Sequence, residues 1–140
     1  MKGYELICTV PGISTTLGAA IIGEIGDVNR FEKAHQLQAY AGMDPSVVQS
    51  GNFQGSRGKM SKRGSPYLRR AIYLAANAAR LHNPVFKAFY EKLKAKGKHH
   101  NEAMGALGSK LLRVIYAVMK SQKPYSSQNL VFDSPETSSL

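Results

Sequence analysis

Ser50 stands directly before Gly51 in the stretch Gln49-Ser50-Gly51-Asn52-Phe53-Gln54-Gly55, and Lys59-Met60-Ser61-Lys62-Arg63-Gly64 follows closely. A serine beside glycine in an exposed loop can bring its hydroxyl against a backbone phosphate. Nearby cations then neutralise the charge that builds up during phosphoryl transfer. Arg57, Lys59, Lys62 and Arg63 are the cations that neighbour it in sequence. Ser-Gly is also a common turn dipeptide, and Ser56, Ser61 and Ser65 compete for the same role. Composition and spacing do not choose among these four serines.

A second set of residues suits binding rather than reaction. Arg69, Arg70, Tyr73, Asn77 and Arg80 recur on one side of a helical pattern with no acid among them. Guanidinium groups with an interleaved aromatic fit phosphate contact and base or sugar stacking, whereas an ordinary solvated face mixes signs of charge. The alternating Lys92, Lys94, Lys96 and Lys98 scatter around a helix, and much of that run complements a helix C-terminus. A third feature, Val10-Pro11-Gly12-Ile13-Ser14, looks like the turn of a helix-hairpin-helix. Such a turn leaves N–H groups unpaired at a helix start, where they suit a phosphate oxygen. Gly12 and Ser14 are its candidate contacts. Ser14 stands where a second glycine is usual, and the same turn can serve purely as a packing device.

Other chemistries find little support. The nine acids are dispersed, and only Glu24 and Asp27 share a helix turn, so the convergent carboxylates of a two-metal nuclease are not assembled. His99-His100 beside Glu102 could ligate a metal, but the spacing reads better as a helix N-terminus. No metal or other cofactor is assigned to these residues. A phosphate-binding loop of the nucleotide-hydrolase type is missing from the sequence.

The 140 residues amount to about one domain, and 43% hydrophobic content places them among globular chains. The net charge of +10 asks for a polyanionic partner, most simply nucleic acid. From Arg57 to Lys98 lie twelve basic residues against the single acid Glu91, so the binding surface belongs to the middle of the chain. Cys8 stands alone, which rules out an intrachain disulfide. Without a signal-peptide pattern or a long apolar run, a cytoplasmic location away from membranes is the expectation.

The elements that must position these residues are helices. Tyr4 to Thr9 reads as the end of one, and its abrupt start suggests a piece of something longer. Ser14 caps the next, with Leu17, Ala20, Ile21 and Ile25 at helical spacing up to Gly26. Asn29 or Arg30 opens a third, with Phe31, Ala34, Leu37 and Ala41 inward and Gly42 at its end. Residues 42–64 contain five glycines and form a long loop, with room for a short β-hairpin around Val47 to Phe53. Loops of this length inside a compact domain tend to be functional or disordered. Ser65-Pro66 then starts a helix with the stripe Leu68, Ala71, Ile72, Ala75 and Ala79. Asn83-Pro84 starts another, burying Phe86, Phe89, Tyr90 and Leu93 and stopping at Gly97. The last runs from Asn101 to Lys120 on Met104, Leu107, Leu111, Ile115 and Val118. The expected organisation is a mainly α domain over 1–124. It comprises a helix-hairpin-helix over 4–27, a serine loop over 42–64 and a helical part over 65–121. Residues 125–140 follow as a flexible tail.

Taken in order, Val10-Pro11-Gly12-Ile13, Phe31, Ala39-Tyr40-Ala41-Gly42-Met43-Asp44-Pro45, Gln49-Ser50-Gly51, Lys62-Arg63-Gly64 and Leu68-Arg69-Arg70-Ala71 resemble the insertion-sequence transposases related to Piv-type DNA invertases. The resemblance covers roughly residues 5–125. It implies the C-terminal, serine-bearing domain of such an enzyme, with Ser50 as the nucleophile that forms a phosphoserine link to DNA. It also implies a separate N-terminal ribonuclease H-like domain whose four acids hold Mg2+, a homo-oligomer, and a structured guide RNA that pairs with the DNA. These residues alone are then expected to bind nucleic acid without recombining it, because a serine hydroxyl is weak without an activating base or metal. The rival expectation is a non-enzymatic helix-hairpin-helix module; a basic ribosome-associated protein is a third.

Overall fold

Side-chain caps fix most of the helix boundaries. In the computed structural model, which describes residues 2–43 and 64–126, the helices are α1 (Lys2–Ile7), α2 (Thr15–Ile25), α3 (Ala34–Tyr40), α4 (Pro66–His82), α5 (Pro84–Ala95) and α6 (His100–Ser121). Ser14 Oγ accepts the Leu17 N–H at 3.2 Å, and Ser65 Oγ accepts that of Leu68 at 3.0 Å. Asn83 Oδ1 accepts from Val85 and Phe86 at 2.9 and 3.2 Å. Each cap satisfies N–H groups that the first helical turn leaves without a partner. Pro66 and Pro84 occupy first-turn positions, where the missing N–H costs nothing.

Among the described residues all regular structure is helical, in agreement with a mainly α fold. The hairpin considered for Val47 to Phe53 lies outside the described residues. No described helix is long and apolar enough to cross a membrane.

α6 is the central element. It packs on α4, α3, α5, α1 and the 3-10 turn Val28–Arg30, and twelve of its residues are buried. Its middle is buried on nearly every side, Ser109 and Lys110 included, which puts this helix inside the domain. All five residues of its expected inward stripe are fully buried, as are Leu68, Ile72 and Ala75 of α4. The alanines of α4 keep that helix thin, so α2, α5 and α6 can all lie against it.

The third helix begins later than its sequence pattern suggests. The expected start at Asn29 or Arg30 is instead the 3-10 turn, capped by Asp27 Oδ1 on the Asn29 N–H at 2.9 Å. Arg30 then turns back and donates through Nε to the Ile25 carbonyl at 2.9 Å and through Nη2 to the Glu24 carbonyl at 3.3 Å, closing the end of α2. Its guanidinium lies 4.6 Å from the Phe31 ring centre and 4.8 Å from that of Tyr40. These contacts hold Phe31 extended. Gln36 Oε1 accepts the Glu32 and Lys33 N–H groups at 2.6 and 3.1 Å and restarts the helix at Ala34.

Tyr125 is part of the packed body. Its N–H donates to Thr9 Oγ1 at 2.8 Å, and its half-buried ring packs against the core. Burial pushes its phenol above the ordinary value, so the packing of the ring favours the neutral phenol and weakens only as pH rises past 10.0.

Candidate nucleic-acid interface

The two ends of segment 44–63 are clasped together. On one side Gln38, only 4% exposed, donates through Nε2 to the Ser109 carbonyl at 3.1 Å, and Ser109 Oγ donates to the Met43 carbonyl. On the other, the Ser65 N–H donates to the Tyr40 carbonyl at 2.7 Å, and Ser65 Oγ donates to Glu24 Oε1 at 2.6 Å. Buried polar groups are retained when they are paired, and here the pairing fixes the described residues on either side of the segment. Ser50, Arg57, Lys59, Lys62 and Arg63 all belong to that segment and lie outside the described residues, as do Ser56 and Ser61.

Ser65 is thereby a structural serine. It is buried, caps α4 and is bonded to a carboxylate, so it presents no hydroxyl to a ligand. Ser65→Ala removes the cap and leaves the half-buried Glu24 carboxylate without its donor. A loss of about 2 kcal/mol is expected, read as a lower midpoint in urea unfolding.

Beside the Met43 end opens a groove of about 590 Å³ between α4 and the start of α6, lined by Arg69, Arg70, Tyr73 and Leu74 on one wall and Asn101 and Gly105 on the other. No acidic side chain is among its described lining residues. Three of the expected stripe residues therefore meet in one place. The other two do not join them: Arg80 Nε donates to Asn77 Oδ1 at 3.0 Å, and its guanidinium stacks 4.6 Å from the Tyr90 ring centre. Tyr90 in turn bonds His100 Nδ1 at 2.7 Å. Arg80 lies about 16 Å along the helix from Arg69, so the cationic stripe has a groove end and a separate stacked end.

Of the two roles open to the Pro11-Gly12 turn, packing is the one its geometry displays at Gly12. Gly12 has φ +86°, and the side on which a Cβ would stand faces α4, 2.8 Å from the Ala79 nitrogen and against the Ala75 carbonyl. The turn thus packs on α4 through Gly12. Ser14 is exposed, with its hydroxyl engaged in the α2 cap.

The acids and histidines also have local employment. Glu24 holds Ser65, Asp27 caps the 3-10 turn, and Glu102 Oε1 accepts the His99 N–H at 3.2 Å at the head of α6. Among the described residues no three of His, Cys, Asp or Glu gather as a metal site.

Residues 4–91, from α1 into α5 and across the clasped segment, match the family described as Transposase IS116/IS110/IS902 family. The chain belongs to this transposase family. It is 30% identical over 125 residues to the pilin gene-inverting protein of Moraxella bovis, covering 89% of this chain and 39% of that protein. It is 28% identical over 124 residues to the IS110 insertion-element 43.6 kDa protein of Streptomyces coelicolor, covering 88% of this chain and 30% of the relative. The IS1111A transposase of Coxiella burnetii is 28% identical over 124 residues, with 86% of this chain and 34% of the relative covered. The chain thus spans only about a third of the length of these relatives.

The sequence reading missed Leu74, Asn101 and Gly105 of this groove, and it also missed an exposed ring outside the groove's lining, Tyr67. It lies on the outer side of α4, 74% exposed. The available signal was its place three residues before Arg70 on the same helix.

Proposed function

We propose that this chain is the serine-bearing part of a transposase that recombines DNA, with the groove beside Arg69, Arg70 and Tyr73 as its DNA-holding surface. The observation that carries the reading is the position of that groove: a doubly guanidinium-lined hollow, with no acid among its described lining residues, beside Met43, which precedes the segment that bears Ser50. Arg69 and Arg70 bind the backbone phosphates, and the cations Arg57, Lys59, Lys62 and Arg63 add to the same field. Ser50 Oγ attacks a DNA phosphorus atom, forming a phosphoserine bond. A bridging phosphorus–oxygen bond breaks, and the departing sugar oxygen takes up a proton. Ser50 is chosen over its neighbours on family resemblance, and Ser65 is set aside because it is buried and bonded.

The activating Mg2+ has no fitting ligand set among the described residues, so no step here passes through it. In this proposal it belongs to the acids of a ribonuclease H-like domain elsewhere in the assembly, a homo-oligomer that carries a structured guide RNA. The helix-hairpin-helix reading of α1 and α2 is retained only for the outer side of the turn, at Ser14 and the first turn of α2, since Gly12 is spent on packing.

The test is binding by the isolated chain. A labelled DNA oligonucleotide should show an affinity that falls steeply with salt. Arg69→Ala/Arg70→Ala should weaken binding by ten- to a hundredfold and flatten the salt slope by up to about two units. Unchanged binding in the double variant sinks the groove assignment. The isolated chain should give no strand-transfer product, and Ser50-dependent product from it alone overturns the need for a second domain.

A further inference from the structure

We infer that the α4–α6 groove and the exposed outer side of α4 together hold an unpaired strand, one base stacking on Tyr73 in the groove and another on Tyr67 outside its lining, while Arg70 holds the phosphate between them. The inference rests on the nucleic-acid reading above and adds the class of ligand. Tyr67 is 74% exposed, Tyr73 39% and Leu74 44%. Leaving large rings in water beside two guanidinium groups gives the fold nothing, but it supplies the combination that holds single strands: cations for the backbone and flat apolar faces for the bases. A duplex keeps its base faces stacked on one another and offers only groove edges and phosphates. Duplex DNA would therefore use the arginines and leave the tyrosines idle.

The spacing supports two stacked bases. Tyr67 and Tyr73 are about 9 Å apart along the helix axis and about 120° apart around it, with Arg70 midway in both, so a strand that winds across α4 meets them in turn. Across the groove, Gly105 keeps the α6 wall low: a Cβ added there meets nothing within 4 Å. A glycine inside a helix is unfavourable relative to other residues, and here its absent side chain leaves room for a base or sugar. The partner that matches a wall of guanidinium and tyrosine with no acid among its described lining residues is a polynucleotide strand. An acidic protein segment would satisfy the arginines but has no need of two flat rings.

The experiment compares, for the 140-residue chain, a short single-stranded DNA, the same length of RNA, the DNA duplex, and a single strand of abasic residues that keeps the phosphates. Single strands should bind about tenfold or more tightly than duplex, and the abasic strand should lose most of that advantage. Comparing the DNA and RNA arms identifies which strand the groove prefers. Tyr67→Leu/Tyr73→Leu should equalise single strand and duplex while leaving the salt slope in place. Gly105→Leu is a second variant protected from a folding artefact: it should weaken single-strand binding about tenfold and hold or raise the urea midpoint. Equal or tighter duplex binding by the unaltered chain, or an abasic strand that binds as well as the normal one, overturns the inference and leaves the nucleic-acid reading standing. Failure to bind any of the four probes overturns both.

Discussion

Gly12→Ala lowers the stability of this domain by about 3 kcal/mol or more, a larger loss than any surface change near the groove should cause. Two costs add. The left-handed backbone at φ +86° disfavours any side chain by about 1–2 kcal/mol. The new methyl then points into α4, 2.8 Å from the Ala79 nitrogen, and neither helix backbone can yield as a flexible side chain would. Overpacking of this kind costs about 1–3 kcal/mol more. Urea unfolding followed by circular dichroism measures the sum. The result also separates two roles for the turn. A phosphate-binding glycine loses affinity when altered and keeps its fold, whereas a packing glycine loses the fold's stability first. A variant of native stability with weakened DNA binding would return the Pro11-Gly12 turn to the binding surface.

Ser50→Ala, made in a chain that also carries the acidic domain, should abolish strand transfer, with product falling on the order of a thousandfold or more. DNA affinity should change less than twofold, since a hydroxyl adds little to binding dominated by cations. Loss of the nucleophile removes the covalent route itself, whereas loss of Arg69 or Arg70 weakens capture. A denaturing gel that detects a protein–DNA covalent adduct checks the chemistry directly. Adduct in Ser50→Ala would move the nucleophile to Ser56 or Ser61, because Ser65 is committed to Glu24 and the α4 cap.

Local patterns made much of the fold legible. Ser14, Ser65-Pro66 and Asn83-Pro84 announce helix starts because a capping oxygen or a first-turn proline acts within three residues of itself. The stripes of α4 and α6 are equally readable, since burial repeats with the helical period. The start of α3 was not legible. It depends on Arg30 reaching back to the carbonyls of α2 while stacking on Phe31 and on Tyr40, ten positions ahead. Arg80 was read as one more phosphate contact for the same reason: its stacking partner Tyr90 lies on the next helix.

By itself, then, the sequence determined a basic, mainly helical domain, the order of motifs that places it in its transposase family, and the candidate serine. The charge and the helices follow from composition and from contacts within one helical turn, whereas the family and the serine come from the resemblance carried by the ordered motifs. Only the tertiary structure decided that Gly12 is a packing residue, that Ser65 is buried and bonded to Glu24, and that Arg69, Arg70 and Tyr73 share a groove with Gly105 while Arg80 stands apart. Each of those outcomes depends on which helix lies against which, and that is set by long-range burial around α6 rather than by any local spacing.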